Sequence, residues 1–414
     1  MVTIEKLMCL LCGDVVAADK IGPHKSLHPR EQHYGIMWPV CGRNGYSRAP
    51  GNKIPIYESP SIAEIIGVER VYIRDEGQNR TGSMKDYIVE RALEIGLHEG
   101  SNIFTVISSG NHAVSLATLA NLCNAYAVVF TPASSSKIAL LSTLPNTLVV
   151  GIKDAIFEDV YELANNLDLP YLFNANVSNE ELFVGFGKIA EAARRLDPMP
   201  THILAGVGNG SYLAGITWGF SYLQCPNPPA IVPVGMKGAF PLEKAFAEKK
   251  SIHEYAKFHV PEELIDAAEG SIAIASYSMP QLIQALKVSH GFTLGDLTNE
   301  DLKEAYQVLA CDPYLINVKT IPEPTGIMGL AAAIKHRGVF SKKDRLLIPF
   351  TGNGSRDASE VAKLAPELAE WLPIQVSSST EKSVRNIILV EKEIPRTDLA
   401  RMVSERVSKE VNVK

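Results

Sequence analysis

At 414 residues, with a formal net charge of −6 and an isoelectric point near 6.0, the chain lacks the basic surplus that general nucleic-acid binding or attachment to an anionic membrane requires. Its 46% hydrophobic and 21% charged residues are those of a globular protein large enough to bury a sizeable core, with two lobes and appendages expected. No run of about eighteen apolar residues could cross a bilayer, and the first residues lack the basic region and hydrophobic stretch of a secretory signal, so the chain reads as cytoplasmic.

In chain order, residues 1–50 are expected to form a loop-rich appendage in which Cys9-Leu10-Leu11-Cys12-Gly13 is answered by Val40-Cys41-Gly42. The six cysteines, which include Cys123, Cys225 and Cys311, are too sparse for a disulfide scaffold and read as reduced thiols. Arg48-Ala49-Pro50-Gly51-Asn52 leads from the appendage into the core. Strand-like and helix-like segments then alternate: Val71-Tyr72-Ile73, a helix after Lys85, a strand over 103–107, a helix from Asn111, and Tyr126-Ala127-Val128-Val129-Phe130. Such alternation predicts an α/β fold of doubly wound parallel sheets in two lobes. Residues 51–370 would form this core, with about 95–190 as the smaller lobe and the functional site where strand C-termini converge. Residues 371–414 are set apart as a tail, with a strand over Asn386–Val390 and a polar amphipathic helix over Thr397–Val411, either a packed flap or a dimer contact.

Four glycine-bearing turns carry the chemistry. The first, Asn79-Arg80-Thr81-Gly82-Ser83-Met84-Lys85-Asp86, places one lysine directly ahead of a helix. The helix dipole and apolar neighbours both disfavour the charged ammonium there, which moves the amine toward nucleophilic use. Taken alone, the string also fits a solvated lysine beside ordinary N-cap residues. The second turn, Ser108-Ser109-Gly110-Asn111-His112, follows the apolar run Ile103–Ile107. The third, Gly206-Val207-Gly208-Asn209-Gly210-Ser211, has the same strand-turn-helix setting, where successive backbone N–H groups form a cradle suited to a phosphate. The fourth, Thr351-Gly352-Asn353-Gly354, closes the strand Arg345–Phe350. Singly each glycine could serve close packing alone. Four in this order, with a lysine in the first, form a specific combination.

With these motifs the chain resembles the pyridoxal-phosphate enzymes of the tryptophan-synthase-β type (fold type II), and within them the threonine synthases, over about residues 50 to 360. The likeness includes Lys53-Ile54-Pro55-Ile56 and Tyr72-Ile73-Arg74-Asp75-Glu76. The resemblance implies pyridoxal 5'-phosphate as cofactor, a small amino acid as substrate and a homodimer. By it, Lys85 would be joined to the cofactor and serve as base and then acid. Asn111 would hydrogen-bond the 3′-oxygen of the ring, while Gly208, Asn209, Gly210 and Ser211 would hold the cofactor phosphate. Thr351 would face the ring nitrogen, and Pro322-Glu323-Pro324-Thr325-Gly326-Ile327-Met328-Gly329 looks like the family's glutamate-proline segment beside the ring. Ser108, Ser109, Gly110 and His112 lie at a helix start suited to the substrate carboxylate. A threonine hydroxyl, unlike an aspartate, cannot stabilise a protonated ring nitrogen by charge, so expulsion of a leaving group is favoured over transamination.

The implied reaction is that of a lyase: threonine and phosphate from O-phosphohomoserine and water, or β-replacement or β-elimination on a serine-, phosphoserine- or cysteine-type amino acid, as in the related cysteate synthase. The family's Asn-Ser-x-Asn-Pro-x-Arg segment is matched here by Asn176-Val177-Ser178-Asn179-Glu180-Glu181-Leu182, ahead of Gly185-Phe186-Gly187-Lys188. The serine is Val177, the arginine is Leu182, and two glutamates add negative charge, so a substrate phosphate would need Lys137, Lys188 or Lys153 instead. Tyr87 replaces the family's arginine after Lys-Asp, and Ser211-Tyr212 replaces its Gly-Asn. The cysteines near the N-terminus look like a zinc ribbon such as some threonine synthases carry, with Trp38 where a fourth cysteine would sit. A tetrahedral zinc would need His28, His33 or another residue as a recruit. The expectation is therefore a metal-free ribbon with packed cysteines, and with His24, His28 and His33 on the surface of the loop between them.

Overall fold

The structure is a computed structural model. It describes residues 4–28, 37–40, 54–240, 277–372 and 386–411, apart from 136, 166, 168, 170, 178, 314, 316, 317 and 319, together with 242, 268 and 271. The expected linker at 48–52, and with it His33 and Cys41, lies outside the described residues.

In chain order the strands begin with β1 (Lys6–Cys9), β2 (Val15–Ala17), β3 (Met37–Pro39), β4 (Ile56–Glu58), β5 (Arg70–Asp75), β6 (Ile103–Ile107) and β7 (Tyr126–Pro132). They continue with β8 (Thr147–Ile152), β9 (Phe173–Asn174), β10 (His202–Gly206), β11 (Ala230–Met236), β12 (Leu294–Leu297), β13 (Arg345–Phe350) and β14 (Ile387–Val390). Two compact units share them: Met1–Met84 with Phe183–Gln375, and Lys85–Leu182 with Val376–Lys414.

The first unit holds a six-stranded sheet of order β12-β11-β10-β13-β5-β4, parallel except for β4, which runs antiparallel to β5 at the edge. The inner strands are near-continuous apolar runs because both of their faces are covered. The Pro324–Lys335 helix is buried on every side from Pro324 to Ile334, which explains its uniformly small and apolar sequence. It packs in one core with Leu204 of β10, Val232 and Val234 of β11 and Ile348 of β13. A three-stranded antiparallel sheet of order β2-β1-β3 forms the appendage of this unit.

The second unit is built on a parallel sheet of order β14-β8-β7-β6-β9. Here the boundaries differ from the expected 95–190, for the unit starts at Lys85 and takes in the C-terminal segment. The segment set apart as a tail supplies β14, paired from Ile387↔Val149 to Val390↔Ile152. The Arg396–Glu410 helix then buries the stripe Leu399, Val403 and Val407, four residues apart. Tyr171 and Ser404 share a hydrogen bond of 2.7 Å, and Tyr126 donates to Glu410 at 2.5 Å, which fastens the helix down.

Candidate active site

In the second unit, Lys85 occupies the cap position of the Asp86–His98 helix in right-handed conformation (φ −64, ψ −19). Asp86 is buried and accepts a hydrogen bond of 2.7 Å from Ser115 Oγ, which ties the lysine's helix to the Asn111–Leu122 helix. Ser115 was missed by sequence reasoning; a hydroxyl within an otherwise apolar stretch of this helix is the signal that could have found it.

The Asn111–Leu122 helix begins at Gly110 with no side-chain cap. Its second residue, His112, is buried, and desolvation, with the Lys85 charge acting the same way, pulls its pKa down to about 3 against a hydrogen bond with the Ala175 backbone. The imidazole is therefore neutral at physiological pH. Its Nε2 has no hydrogen-bond partner among the described residues. The turn before the helix is held by Ser108 N–H to the Phe130 carbonyl (3.0 Å), Gly110 N–H to Ser108 Oγ (3.2 Å) and Ser135 Oγ to the Ser109 carbonyl (2.9 Å). Lys137 is brought to this turn, its Nζ lying 3.9 Å from where a Cβ on Gly110 would stand.

In the first unit, the glycine turn after β10 ends at Gly210, whose φ of +90 is left-handed and favours glycine. A Cβ there would also stand 3.0 Å from Leu282 Cβ. The Ser211–Tyr222 helix that follows has no side-chain cap, so its start offers backbone N–H groups to an anion. Asn209 Oδ1 accepts from the Tyr277 backbone N–H at 3.1 Å. Tyr212, a departure from the family pattern, is buried edge-on against Phe186 with ring centroids 5.0 Å apart, and its hydroxyl lies 3.5 Å from Glu76 Oε1.

Thr351 follows β13, and its Oγ1 is buried with no hydrogen-bond partner among the described residues. Its carbonyl accepts from Met84 N–H at 2.8 Å, and Ser83 bridges to Gly352. The first and fourth turns are thus stitched together immediately before Lys85. Arg356, passed over in the sequence, closes the same stitch: its Nη2 donates to the Thr81 carbonyl, and its Nε lies 3.2 Å from where a Cβ on Gly82 would stand. Glu323 is buried and its carboxylate lies against Gly352, in the space a Cβ there would fill, while its backbone N–H donates to the Gly352 carbonyl at 2.9 Å. Beneath this region Arg74 Nε pairs with Glu76 Oε1 at 2.6 Å, and Asn79 Nδ2 donates to Glu76 Oε2 at 2.7 Å, all buried.

The substrate-phosphate candidates belong to different elements of the two units. Lys188 stands in the first turn of the Gly187–Arg194 helix of the first unit, Lys137 is at the Gly110 turn of the second, and Lys153 pairs with Glu391 at 2.7 Å. Leu182 is wholly buried at 0% exposure, so it belongs to the core. Burial raises the Glu181 carboxyl above its ordinary pKa, with Arg91 opposing.

The appendage departs from expectation. His24, expected on the surface, is buried, and His28 is half-buried. Their Nε2 atoms lie 3.5 Å from Cys12 Sγ and 3.7 Å from Cys9 Sγ, respectively.

The family model described as pyridoxal-phosphate dependent enzyme matches residues 49–352. The threonine synthase of Methanocaldococcus jannaschii is 25% identical over 333 residues, 76% of this chain and 77% of that protein. The cysteate synthase of Methanothrix thermoacetophila is 26% identical over 223 residues, 49% of this chain and 51% of that protein. Among solved structures, a fungal L-serine ammonia-lyase from Rhizomucor miehei superposes with a TM-score of 0.62 at 16% identity, over 76% of this chain and 98% of that one, a likeness of fold. The stitched lysine turn, the uncapped glycine cradle and the match over 49–352 agree: the chain belongs to the pyridoxal-phosphate dependent enzymes, and pyridoxal phosphate is its cofactor.

Proposed function

We propose that the protein catalyses elimination or replacement on an amino acid in the manner of a threonine synthase, turning O-phosphohomoserine and water into threonine and phosphate. The observation that carries the reading is Thr351, a neutral hydroxyl, buried and without a hydrogen-bond partner among the described residues. The cofactor's donor and acceptor needs fit the residues present. Thr351 Oγ1 can satisfy a ring nitrogen, and the uncapped N-terminus behind Gly210 can receive a phosphate through Gly208, Asn209, Gly210 and Ser211.

Bound pyridoxal phosphate supplies a ring that takes up negative charge from the substrate α-carbon. Lys85 would hold it covalently, and its Nζ, once released, would remove the α-proton and return a proton later. Asn111 serves the 3′-oxygen. The Ser108-Ser109-Gly110 turn binds the substrate carboxylate, and His112, neutral by burial, presents no fixed charge there. Because Thr351 would contribute no charge beside the ring nitrogen, the site would favour loss of a leaving group: a β-substituent directly, or the γ-phosphate of O-phosphohomoserine once Lys85 Nζ had also moved the Cβ proton, with water then adding at Cβ. The family suggests a homodimer.

A second reading, β-replacement or β-elimination on a serine-, phosphoserine- or cysteine-type substrate, is favoured by the complete burial of Leu182 where the family has an arginine. Titration of the purified protein with O-phosphohomoserine, O-phosphoserine, serine and cysteine, with visible absorbance and released products followed together, separates the two. Release of threonine and phosphate supports the first reading. A response to the three-carbon amino acids alone transfers the protein to the second. Weak inhibition by inorganic phosphate would accompany the loss of the arginine, whereas strong competitive inhibition would mean that Lys137 or Lys188 has replaced it.

A further inference from the structure

The N-terminal appendage contains a four-residue constellation that the catalytic reading does not use. Cys9, Cys12, His24 and His28 each offer one ligand atom, and all four atoms lie within 4.8 Å of one another. Cys12 Sγ lies 3.5 Å from His24 Nε2, and Cys9 Sγ lies 3.7 Å from His28 Nε2. A zinc ion with Zn–S near 2.3 Å and Zn–N near 2.05 Å in a tetrahedron sets each sulfur-nitrogen edge at about 3.6 Å. Two sulfur-nitrogen edges of an S2N2 tetrahedron therefore already stand at that length, and the remaining ligand-atom pairs lie within 4.8 Å.

The local fold accounts for the convergence. β1 and β2 form a hairpin whose turn carries Cys12 and a left-handed Gly13, closed by Cys9 N–H to the Asp14 carbonyl (2.7 Å) and Gly13 N–H to the Cys9 carbonyl (2.9 Å). The Ile21–Lys25 helix follows and presents His24, with His28 just beyond it, their rings 5.4 Å apart. The order is strand, strand, helix, and the spacing Cys-x2-Cys-x11-His-x3-His is within one residue of that of the small zinc modules built in the same order. Four protein ligands leave no open position for substrate, as in a structural rather than a catalytic zinc site. Two thiolates and two imidazoles in tetrahedral array suit zinc among the abundant divalent ions.

We propose that Cys9, Cys12, His24 and His28 form a structural zinc site. The ion ties the hairpin and helix of the appendage together and, through β3, holds them on the catalytic unit. β1 pairs with β3 from Leu7↔Pro39 to Cys9↔Met37, and β3 is anchored by Trp218 Nε1 to the Pro39 carbonyl (3.3 Å) and Gln281 Nε2 to the Met37 carbonyl (3.0 Å). Trp218 belongs to the Ser211–Tyr222 helix, whose first turn ends the glycine cradle. Val15–Ala17 and the Ile21–Lys25 helix bury no apolar side chain, so metal binding would supply much of what holds them in place.

The test is metal analysis of the full-length protein purified with its pyridoxal phosphate under reducing conditions, before and after chelation and zinc readdition. The expected result is one zinc per chain, and replacement by cobalt(II) should give the visible spectrum of a tetrahedral ion with sulfur ligands. Cys12→Ser and His28→Ala should each lower bound metal at least tenfold while the cofactor absorbance persists. Should either variant fail to fold, X-ray absorption on the unmodified protein reads the shell directly, with two sulfurs and two nitrogens expected. Less than a tenth of an equivalent after zinc readdition overturns the proposal. So does metal content indifferent to both substitutions, or lost on Cys41→Ser.

Discussion

Met84 donates its backbone N–H to the carbonyl of Thr351 across 2.8 Å, so the residue before Lys85 is fastened to the residue that follows β13. Two motifs some 267 positions apart in the chain are registered by this bond, by Asn353 N–H to the Gly82 carbonyl (2.9 Å) and by the adjacent Ser83–Gly352 bridge. Rigid support of this kind determines how accurately a catalytic group is placed.

Gly352→Ala tests that support. A Cβ at this position would occupy the space of the Glu323 carboxylate, and the Glu323 N–H to Gly352 carbonyl bond limits retreat of the backbone. The variant should lose about 1–3 kcal/mol of stability by overpacking and bind pyridoxal phosphate more weakly. Thermal unfolding with and without cofactor reads both effects; unchanged values would mean that Glu323 moves aside freely.

Thr351→Val separates cofactor binding from folding. The buried Oγ1 has no hydrogen-bond partner among the described residues, so removing it should stabilise the cofactor-free protein by about 1 kcal/mol. Cofactor affinity should instead fall about tenfold, with Thr351→Ser restoring it. Equal effects on both forms would remove the hydroxyl from the cofactor site.

Lys85→Ala should abolish turnover and shift the visible absorbance of the bound cofactor, while circular dichroism remains that of the parent. Retained steady-state activity would falsify the assignment of Lys85.

His112 gives a pH signature. Its pKa falls from 6.5 unfolded to about 3 folded, chiefly by desolvation. Above pH 6.5 both states are neutral at this residue and it contributes no pH dependence. Between 6.5 and 3 the unfolded chain takes up a proton that the folded one refuses, so stability falls with pH by up to about 1.4 kcal/mol per unit. His112→Gln should flatten the denaturant midpoint over that window. An unchanged slope would show that other groups carry it. The activity profile should likewise contain no inflection from His112 between pH 6 and 8.

The chain by itself determined what depends on near neighbours. The alternation of apolar runs and helix-forming stretches, the glycine turns between them and the lysine at a helix start are local patterns, each governed by backbone geometry within a few residues, and they sufficed for the fold class and the cofactor. Tertiary structure alone decided the rest. The tail became strand β14 because β8 has an edge to pair with, and that edge is formed from residues more than 230 positions away. Glu323 met Gly352, and Arg356 met Thr81, through packing that no local pattern encodes. His24 and His28, expected on a surface loop, are buried and half-buried instead, although their spacing from Cys9 and Cys12 is present in the sequence. Only the hairpin and the short helix, folded against each other, bring the four ligand atoms within 4.8 Å. Backbone propensity acts over a few residues, whereas side-chain convergence depends on how distant elements pack, and a linear pattern does not contain that information.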